Sequence, residues 1–180
     1  MIRRRHAGVV AALCAAVLVL SGCMGDAAGG DGQGRRKAPE FTGIDAWMNS
    51  QPLTLRQLRG KIVLVEFWTW RCINCMHVLP HIVDWDRKYR DEGLVVVGVH
   101  TPETEEEHGS EGLQAAIRRF GIAFPVAQDN RYRTWDAYGN FAWPATYLID
   151  REGRIIRRHY GEGDYDGFEA AIRDALAEGR

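Results

Sequence analysis

The chain has 180 residues and a formal net charge of −1, with 23 Lys and Arg against 24 Asp and Glu. This length suggests one domain with additional segments. The balanced charge gives no basic patch of the kind that binds nucleic acid, so we expect no nucleic-acid partner.

The first residues have the pattern of an export signal. A positive segment, MIRRRHAG, precedes the apolar run VVAALCAAVLVL, which is too short for a convincing transmembrane helix. LSGC follows at residues 20–23 and resembles a bacterial lipobox. The resemblance implies a signal peptide over residues 1–22, a lipid on the sulfur of Cys23, and anchoring to the extracytoplasmic side of the cell membrane. The alternative is an ordinary secretory signal that leaves a free thiol, and the Sec and Tat export routes both stay open.

Counting cysteines narrows the chemistry of the exported chain. Cys14 lies in the apolar run and would leave with the signal, and Cys23 would carry the lipid, so Cys72 and Cys75 are the two thiols that remain. The exported compartment is oxidising, or at least not buffered like cytosol. The pair is therefore expected to be a disulfide or a dithiol that a partner keeps reduced.

The rest of the chain divides into a tether and one globular domain. Residues 23–38 are Gly-rich and polar and predict a flexible linker. Residues 39–180 predict a domain in which strands and helices alternate. Strands are predicted at 60–68, 93–100 and 124–129, with a hairpin at 145–160; helices are predicted at 73–91, 109–121, 130–139 and 165–179.

This order of elements predicts the architecture and the place of the site. Strands alternating with helices, followed by a terminal hairpin and helix, indicate a three-layer α/β/α sandwich around a mixed sheet. Sites in such sheets collect at the C-terminal ends of the parallel strands. Cys72 falls there, in the turn between the 60–68 strand and its helix.

Four uses of the Cys72–Cys75 pair compete. Haem attachment needs a histidine directly after the second cysteine, and Met76 stands there instead. A zinc site needs four ligands; His77 and His81 could complete one, although no second Cys-x-x-Cys exists. A purely structural disulfide would close a loop too short to constrain the unfolded chain much. Redox exchange is favoured, because a helix N-terminus stabilises a thiolate at its first cysteine.

The residues around the pair resemble a known family. VEFWTWRCINC is similar to the active-site stretch of thioredoxin-like proteins, and Pro80 falls where that family kinks its active-site helix. AWPATYLID matches the family's cis-proline loop, with Pro144 as the cis-proline. The helix and strand at 109–127 look like the insertion of the TlpA/ResA-like redoxin group. The segments WMNSQPLTL, LRGKIVLVEFW, GVHTPE and YGN resemble the redoxin domain of DipZ-type proteins.

The resemblance implies roles for individual residues. Cys72 would attack and Cys75 would resolve the mixed disulfide, so that the redox-active disulfide itself serves and no cofactor or metal is expected. Pro144 would border the substrate groove, and Trp143 would supply the backbone with which a substrate chain pairs. Trp70 is a further candidate for this groove, with packing at its rim as the alternative.

Polar residues near the pair are further candidates for the site. Glu66, six residues before Cys72, occupies the position of the buried acid of thioredoxins and would exchange a proton with Cys75. Its alternative is a strand carboxylate that reaches solvent. His100 ends a strand near the same sheet edge, where it would lie behind the reacting residues or cap the strand. The acidic segment 103–108 predicts a solvated loop.

The sequence therefore predicts a membrane-anchored thiol–disulfide oxidoreductase acting on exported protein thiols and disulfides. A membrane electron donor or acceptor of the DsbD/CcdA kind is the expected partner. One alternative is a peroxide-reducing redoxin of the AhpC/TSA kind, whose Pro-x-x-x-Thr-x-x-Cys pattern is met by Thr69 but broken by Val65. The other is a metal-binding or copper-delivery module that uses the two cysteines and a histidine.

Overall fold

The computed structural model describes residues 35–178. The predicted signal peptide, the lipidation site at Cys23 and most of the predicted linker lie outside these residues. Within the described part the strands are β1 (Ala46–Met48), β2 (Ile62–Trp68), β3 (Leu94–His100), β4 (Val126–Gln128), β5 (Ala145–Ile149) and β6 (Ile155–Tyr160). The helices are α1 (Ile73–Tyr89), α2 (Ser110–Phe120), α3 (Arg133–Tyr138) and α4 (Tyr165–Ala177).

The strands form one mixed sheet in the order β1-β4-β3-β2-β5-β6. β2, β3 and β4 are parallel to one another, whereas β1, β5 and β6 each pair with their neighbours in antiparallel fashion. All seven residues of β2 are buried, as expected for a continuous apolar strand in the middle of a covered sheet. The mixed sheet predicted from the order of elements is confirmed.

The side chains of β2 alternate between two cores, one on each face of the sheet. Ile62, Leu64 and Trp68 pack with helices α1, α2 and α4. Val63, Val65 and Phe67 pack with α3 and with the segment before β2. Helices therefore cover both faces, and the predicted three-layer sandwich is confirmed.

Two local features differ from the sequence prediction. β1 was not predicted, because a strand of three residues is too short to show alternation; it pairs with β4 at the edge of the sheet. The acidic segment predicted to be solvated contains a 3₁₀ turn at Glu105–His108, and Glu107 within it is fully buried. That prediction is wrong for Glu107, since its carboxylate finds hydrogen-bond donors in the interior.

The N-terminal end of the described chain is joined to the sheet. Lys37 forms an antiparallel bridge with Arg154, and the amide of Ala38 donates to the carbonyl of Gly153 at 2.9 Å. The last residues of the predicted linker thus contact the turn before β6. Over residues 35–178, none of the helices combines the length and the hydropathy needed to cross a bilayer.

Candidate active site

Cys72 and Cys75 lie at the start of α1, directly after the turn that follows β2. Cys72 is the N-cap of the helix, and its Sγ accepts a hydrogen bond from the Cys75 amide at 3.2 Å. The two residues form a disulfide with a Cα–Cα distance of 5.2 Å, within the usual range for such bonds. Cys75 is fully buried whereas Cys72 is partly exposed. Cys72 is therefore the sulfur that a substrate can reach.

The helix start offers a favourable setting for a thiolate on Cys72. The first turn of α1 contains no acidic residue, so the unpaired backbone N–H groups and the helix dipole act on the sulfur without an opposing charge within that turn. Arg71, the residue before Cys72, forms an exposed ion pair with Glu106, and its guanidinium lies 5.7 Å from the centroid of the Trp70 ring. The guanidinium of Arg71 therefore interacts with Glu106 and with solvent.

The proline loop lies at the same edge of the sheet. The Trp143–Pro144 peptide bond is cis, as predicted. Ala145 pairs with Phe67, and this register places Pro144 beside the C-terminal end of β2. The indole Nε1 of Trp143 donates to the carbonyl of Thr101 at 3.0 Å, which ties the loop to the segment after β3. The structure therefore brings the proline loop and the segments after β2 and β3 to one edge.

Trp70 packs against α2 beside the disulfide. Its ring is partly buried against the core, and it lies so close to Gly112 that a Cβ atom there would come within 2.8 Å of Cζ2. The indole Nε1 of Trp70 has no hydrogen-bond partner among the described residues. The close contact with Gly112 of α2 therefore constrains the position of this ring.

Glu66 lies inside the sheet on the face that α1 covers. It alternates with Leu64 and Trp68 on β2, whose side chains share a core with Cys75. Its carboxyl is fully buried and accepts one hydrogen bond, from the Thr146 hydroxyl to Oε2 at 2.6 Å. Burial raises the pKa of Glu66 to about 8, although the Thr146 hydrogen bond acts in the opposite direction. The strand carboxylate reaching solvent, weighed as the alternative, is not what the structure shows.

A second buried polar group lies next to the turn that carries Cys72. The Thr69 hydroxyl contacts both His100 and Glu107, and all three residues are fully buried. Thr104-x-x-Glu107 is a capping box, and that spacing was a sequence signal from which this buried carboxylate could have been predicted. His100, expected either to lie behind the reacting residues or to cap its strand, contacts the Thr69 hydroxyl in the turn before Cys72.

The two histidines considered as metal ligands have other contacts. Nδ1 of His77 lies 3.0 Å from Oε2 of Glu162, and the ring of His81 stacks on Tyr165 with centroids 3.7 Å apart. Within residues 35–178, no three His, Cys, Asp or Glu side chains come together in a metal-binding arrangement. The structure thus places both histidines against neighbours on β6–α4 rather than with the cysteines.

Comparison with known proteins agrees with this fold and site. The AhpC/TSA family model matches residues 35–158, and the chain belongs to this family. Protein DipZ of Mycobacterium tuberculosis is 43% identical over 146 residues, which cover 79% of this chain and 21% of DipZ. The chain thus spans about a fifth of the length of that relative. The thiol-disulfide oxidoreductase YkuV of Bacillus subtilis is 31% identical over 145 residues, covering 80% of this chain and 97% of YkuV.

Solved structures show the same fold. A thioredoxin-like protein determined in its oxidised form superimposes with a TM-score of 0.74 and 31% identity, covering 81% of this chain and 98% of that protein. The thioredoxin-like superfamily protein SPOA0173 gives a TM-score of 0.73 at 32% identity. The thioredoxin-like architecture implied by the sequence resemblance is therefore confirmed.

Proposed function

We propose that this protein is a thiol–disulfide oxidoreductase that exchanges disulfides with exported proteins through Cys72 and Cys75. One observation carries the proposal: the disulfide at the start of α1 pairs a partly exposed sulfur with a fully buried one on the side of the sheet where Glu66 lies. Membership of the AhpC/TSA family and the similarity to the thiol-disulfide oxidoreductase YkuV support it.

The exchange proceeds in two balanced steps. When the protein reduces a substrate, the Cys72 thiolate attacks one sulfur of the substrate disulfide, and the other substrate sulfur leaves as a thiolate and takes up a proton. Cys75 then attacks the Cys72 sulfur, which releases the second substrate thiol and leaves the Cys72–Cys75 disulfide. Two electrons pass from the protein to the substrate. Oxidation of a substrate dithiol is the reverse sequence.

Glu66 supplies or accepts the proton at Cys75. Since its pKa is raised to about 8, the carboxyl is mostly protonated at neutral pH. When an incoming thiolate attacks Cys72 and opens the disulfide, Cys75 leaves as a buried thiolate, and Glu66 can donate a proton to it. In the reverse direction the ionised fraction of Glu66 accepts the Cys75 proton as the disulfide closes. One buried carboxyl therefore serves both directions of exchange.

The substrate chain is proposed to bind at the proline loop. Trp143 is partly exposed, and Pro144 lies at the end of β2 from which the Cys72 turn leaves. An extended substrate chain would pair with the backbone at Trp143, with Trp70 at the rim of the groove. This arrangement would place a substrate sulfur at the partly exposed Cys72.

Location and partner belong to the same proposal. The lipobox at residues 20–23 supports a lipid on Cys23 and an extracytoplasmic, membrane-anchored domain. A membrane donor or acceptor of the DsbD/CcdA kind would then restore the starting redox state of the pair after each exchange. Exported protein thiols and disulfides are the substrate class that this location implies.

Peroxide reduction is less well supported by the site. In the peroxidase pattern a threonine hydroxyl serves the reacting cysteine, whereas here Thr69 is fully buried and its hydroxyl donates to Glu107. Val65, where the pattern has a proline, is buried inside β2. We expect the reduced protein to reduce insulin disulfides much faster than it consumes hydrogen peroxide.

The decisive experiment is insulin reduction by the full-length protein in detergent, with dithiothreitol as the electron source. We expect Cys72→Ser to lose at least about 100-fold in rate, because the attacking sulfur is gone. Cys23→Ser is the matched control, since it removes a cysteine outside the redox pair and should keep full activity while losing membrane attachment. Full insulin reduction by Cys72→Ser would show that the assignment is wrong.

A further inference from the structure

Glu107 is a fully buried carboxylate whose hydrogen bonds join two loops at the active site. Oε1 accepts from the Thr69 hydroxyl in a short contact and from the backbone amide of Arg71 at 3.1 Å. Oε2 accepts from the amides of Glu103 and Thr104, both at 2.8 Å, and from the Thr104 hydroxyl at 3.3 Å. The carboxylate therefore binds its own 3₁₀ turn with one oxygen and the turn before Cys72 with the other.

The direction of the hydrogen bonds through Thr69 follows from the donors available. Thr69 has one O–H, and it donates to Oε1 of Glu107. The contact of 3.2 Å between Thr69 Oγ1 and His100 Nε2 must then have the imidazole N–H as its donor. Nδ1 of His100 is left unprotonated and has no partner in the described part of the chain. The chain of donors thus runs from His100 through Thr69 to Glu107.

The net charge of the hydrogen-bonded group His100, Thr69 and Glu107 follows from the pKa values of its two ionisable side chains. Burial raises the pKa of Glu107, but the hydrogen bonds from Thr69 and from the amides of Thr104, Glu103 and Arg71 outweigh it and hold the pKa below its usual value. Burial lowers the pKa of His100 to about 4, against the charge of Glu107, so the imidazole is neutral. At neutral pH the group carries one negative charge.

Within residues 35–178, no buried Lys or Arg side chain balances that negative charge. The guanidinium of Arg71, whose amide donates to Glu107, is turned outward to the exposed Glu106. Glu66 on β2 is fully buried and mostly protonated. His108, at the end of the same 3₁₀ turn, faces the exposed Glu105 at 3.8 Å. Glu107 is therefore an ionised carboxylate that accepts a hydrogen bond from the amide of Arg71, the residue before Cys72.

We propose that Glu107 is a positioning residue for Cys72, holding the preceding turn in place while its charge opposes the stabilisation of the Cys72 thiolate by the helix N-terminus. The proposal rests on the redox function proposed for the pair. Its consequence is a shift in the equilibrium between the Cys72–Cys75 disulfide and the two thiols that form when the disulfide takes up two electrons. Because the buried charge disfavours the thiolate, it destabilises the reduced form and makes the protein a stronger reductant.

The test replaces Glu107 by glutamine, which keeps the shape of the side chain and removes its charge. We expect the Cys72 thiol pKa of Glu107→Gln, followed by the ultraviolet absorbance of the thiolate, to fall by about half a unit to one unit. The equilibrium with glutathione should shift about 3-fold to 10-fold towards the dithiol, equivalent to about 15–30 mV. Glu105→Gln is the matched control: it removes the same charge from the same turn at an exposed side chain, and neither quantity should change.

A folded Glu107→Gln protein with the wild-type thiol pKa and glutathione equilibrium would overturn the proposal. Thr69→Val covers the case in which that variant does not fold, since valine has the shape of threonine and removes only the hydroxyl between His100 and Glu107. We expect the Arg71 amide to lose at least about 10-fold of its protection from hydrogen exchange in Thr69→Val, and to keep it in Thr69→Ser. Wild-type protection in Thr69→Val would also overturn the positioning role.

Failure of this proposal and failure of the redox function give different results. If Glu107 has no such role, the variants still reduce insulin and share the wild-type equilibrium with glutathione. If the redox function is wrong, the wild-type protein itself does not reduce insulin. Insulin reduction and the glutathione equilibrium, measured on the wild-type protein and these variants, therefore distinguish the two outcomes.

Discussion

The Thr146 hydroxyl donates a hydrogen bond of 2.6 Å to Oε2 of Glu66, across the pair of residues at which β2 and β5 face each other. Oε1 of the same carboxyl has no partner among the described residues. A buried carboxyl with only one donor is not sufficiently solvated to stay ionised, and its pKa is raised to about 8. Because its hydrogen bonding is incomplete, the Glu66 carboxyl keeps the proton that is proposed to move to and from Cys75.

Replacing Glu66 by glutamine should slow exchange without changing the fold. Glutamine is close in size but cannot donate or accept the catalytic proton, so we expect insulin reduction to fall by about 100-fold. Binding of substrate at the proline loop should be unaffected, so the loss should appear in kcat rather than in KM. Unchanged kcat in Glu66→Gln would contradict the proton-transfer role.

Glu66 should also make the oxidised protein less stable as the pH rises. The folded state keeps the proton up to about pH 8, whereas the unfolded carboxyl loses it near its ordinary value of 4.5. The unfolded state therefore binds fewer protons between these values, and the free energy of unfolding falls with pH by at most about 1.4 kcal/mol per unit. Glu66→Gln should lack this decline, as measured by urea unfolding at pH 5 to 8; the same slope in both proteins would refute the assignment.

Thr146→Val tests the hydrogen bond separately from the carboxyl. The Thr146 hydroxyl stabilises the ionised form of Glu66, so its removal should raise the pKa of Glu66 above its wild-type value. We expect the apparent pKa that Glu66 contributes to the pH profile of insulin reduction to shift upward. The double variant with Glu66→Gln is the control, and adding Thr146→Val to it should produce no further shift in the profile.

Substituting Gly112 by alanine should displace the Trp70 ring. The added Cβ would come within 2.8 Å of Cζ2 and 3.0 Å of Cε2 of the indole, so the ring or the helix must move. We expect a loss of about 1–3 kcal/mol in the free energy of unfolding and a change in tryptophan fluorescence. Gly109→Ala is the matched control, because a Cβ at that position meets nothing within 4 Å. Equal effects of both substitutions would argue against the proposed packing of Trp70.

The difference in exposure between the two sulfurs predicts which variant traps a substrate. Cys75→Ser leaves the partly exposed Cys72 free to attack but removes the resolving sulfur, so a stable mixed disulfide should accumulate with reducible substrate proteins. Cys72→Ser leaves the fully buried Cys75 as the remaining thiol of the pair and should trap at least about 10-fold less. Non-reducing gel electrophoresis distinguishes the two, and equal trapping by both variants would contradict the assigned roles.

Local pattern was sufficient to predict most of the elements that position the site. β2 was predictable because a seven-residue apolar strand needs no partner to be recognised, and α1 and α2 show helical spacing, with Gly121 ending the second. The cis bond at Trp143–Pro144 was predicted from the resemblance to thioredoxin-like proteins, whose cis-proline corresponds to Pro144. β1 was missed because it is short and owes its pairing to β4, which is distant in the chain.

The sequence by itself determined the helices, every strand except β1, and the place of Cys72 at a helix start, because periodicity and the Cys-x-x-Cys spacing are local properties. Only the tertiary structure decided the charges around that pair. Burial, which depends on elements far apart in the chain, raises the pKa of Glu66 in the core. It also makes Glu107 an interior carboxylate, since its donors come from the turn before Cys72 as well as from its own turn. A carboxylate's protonation depends on which donors and apolar groups surround it, and that is settled by packing rather than by its neighbours in sequence.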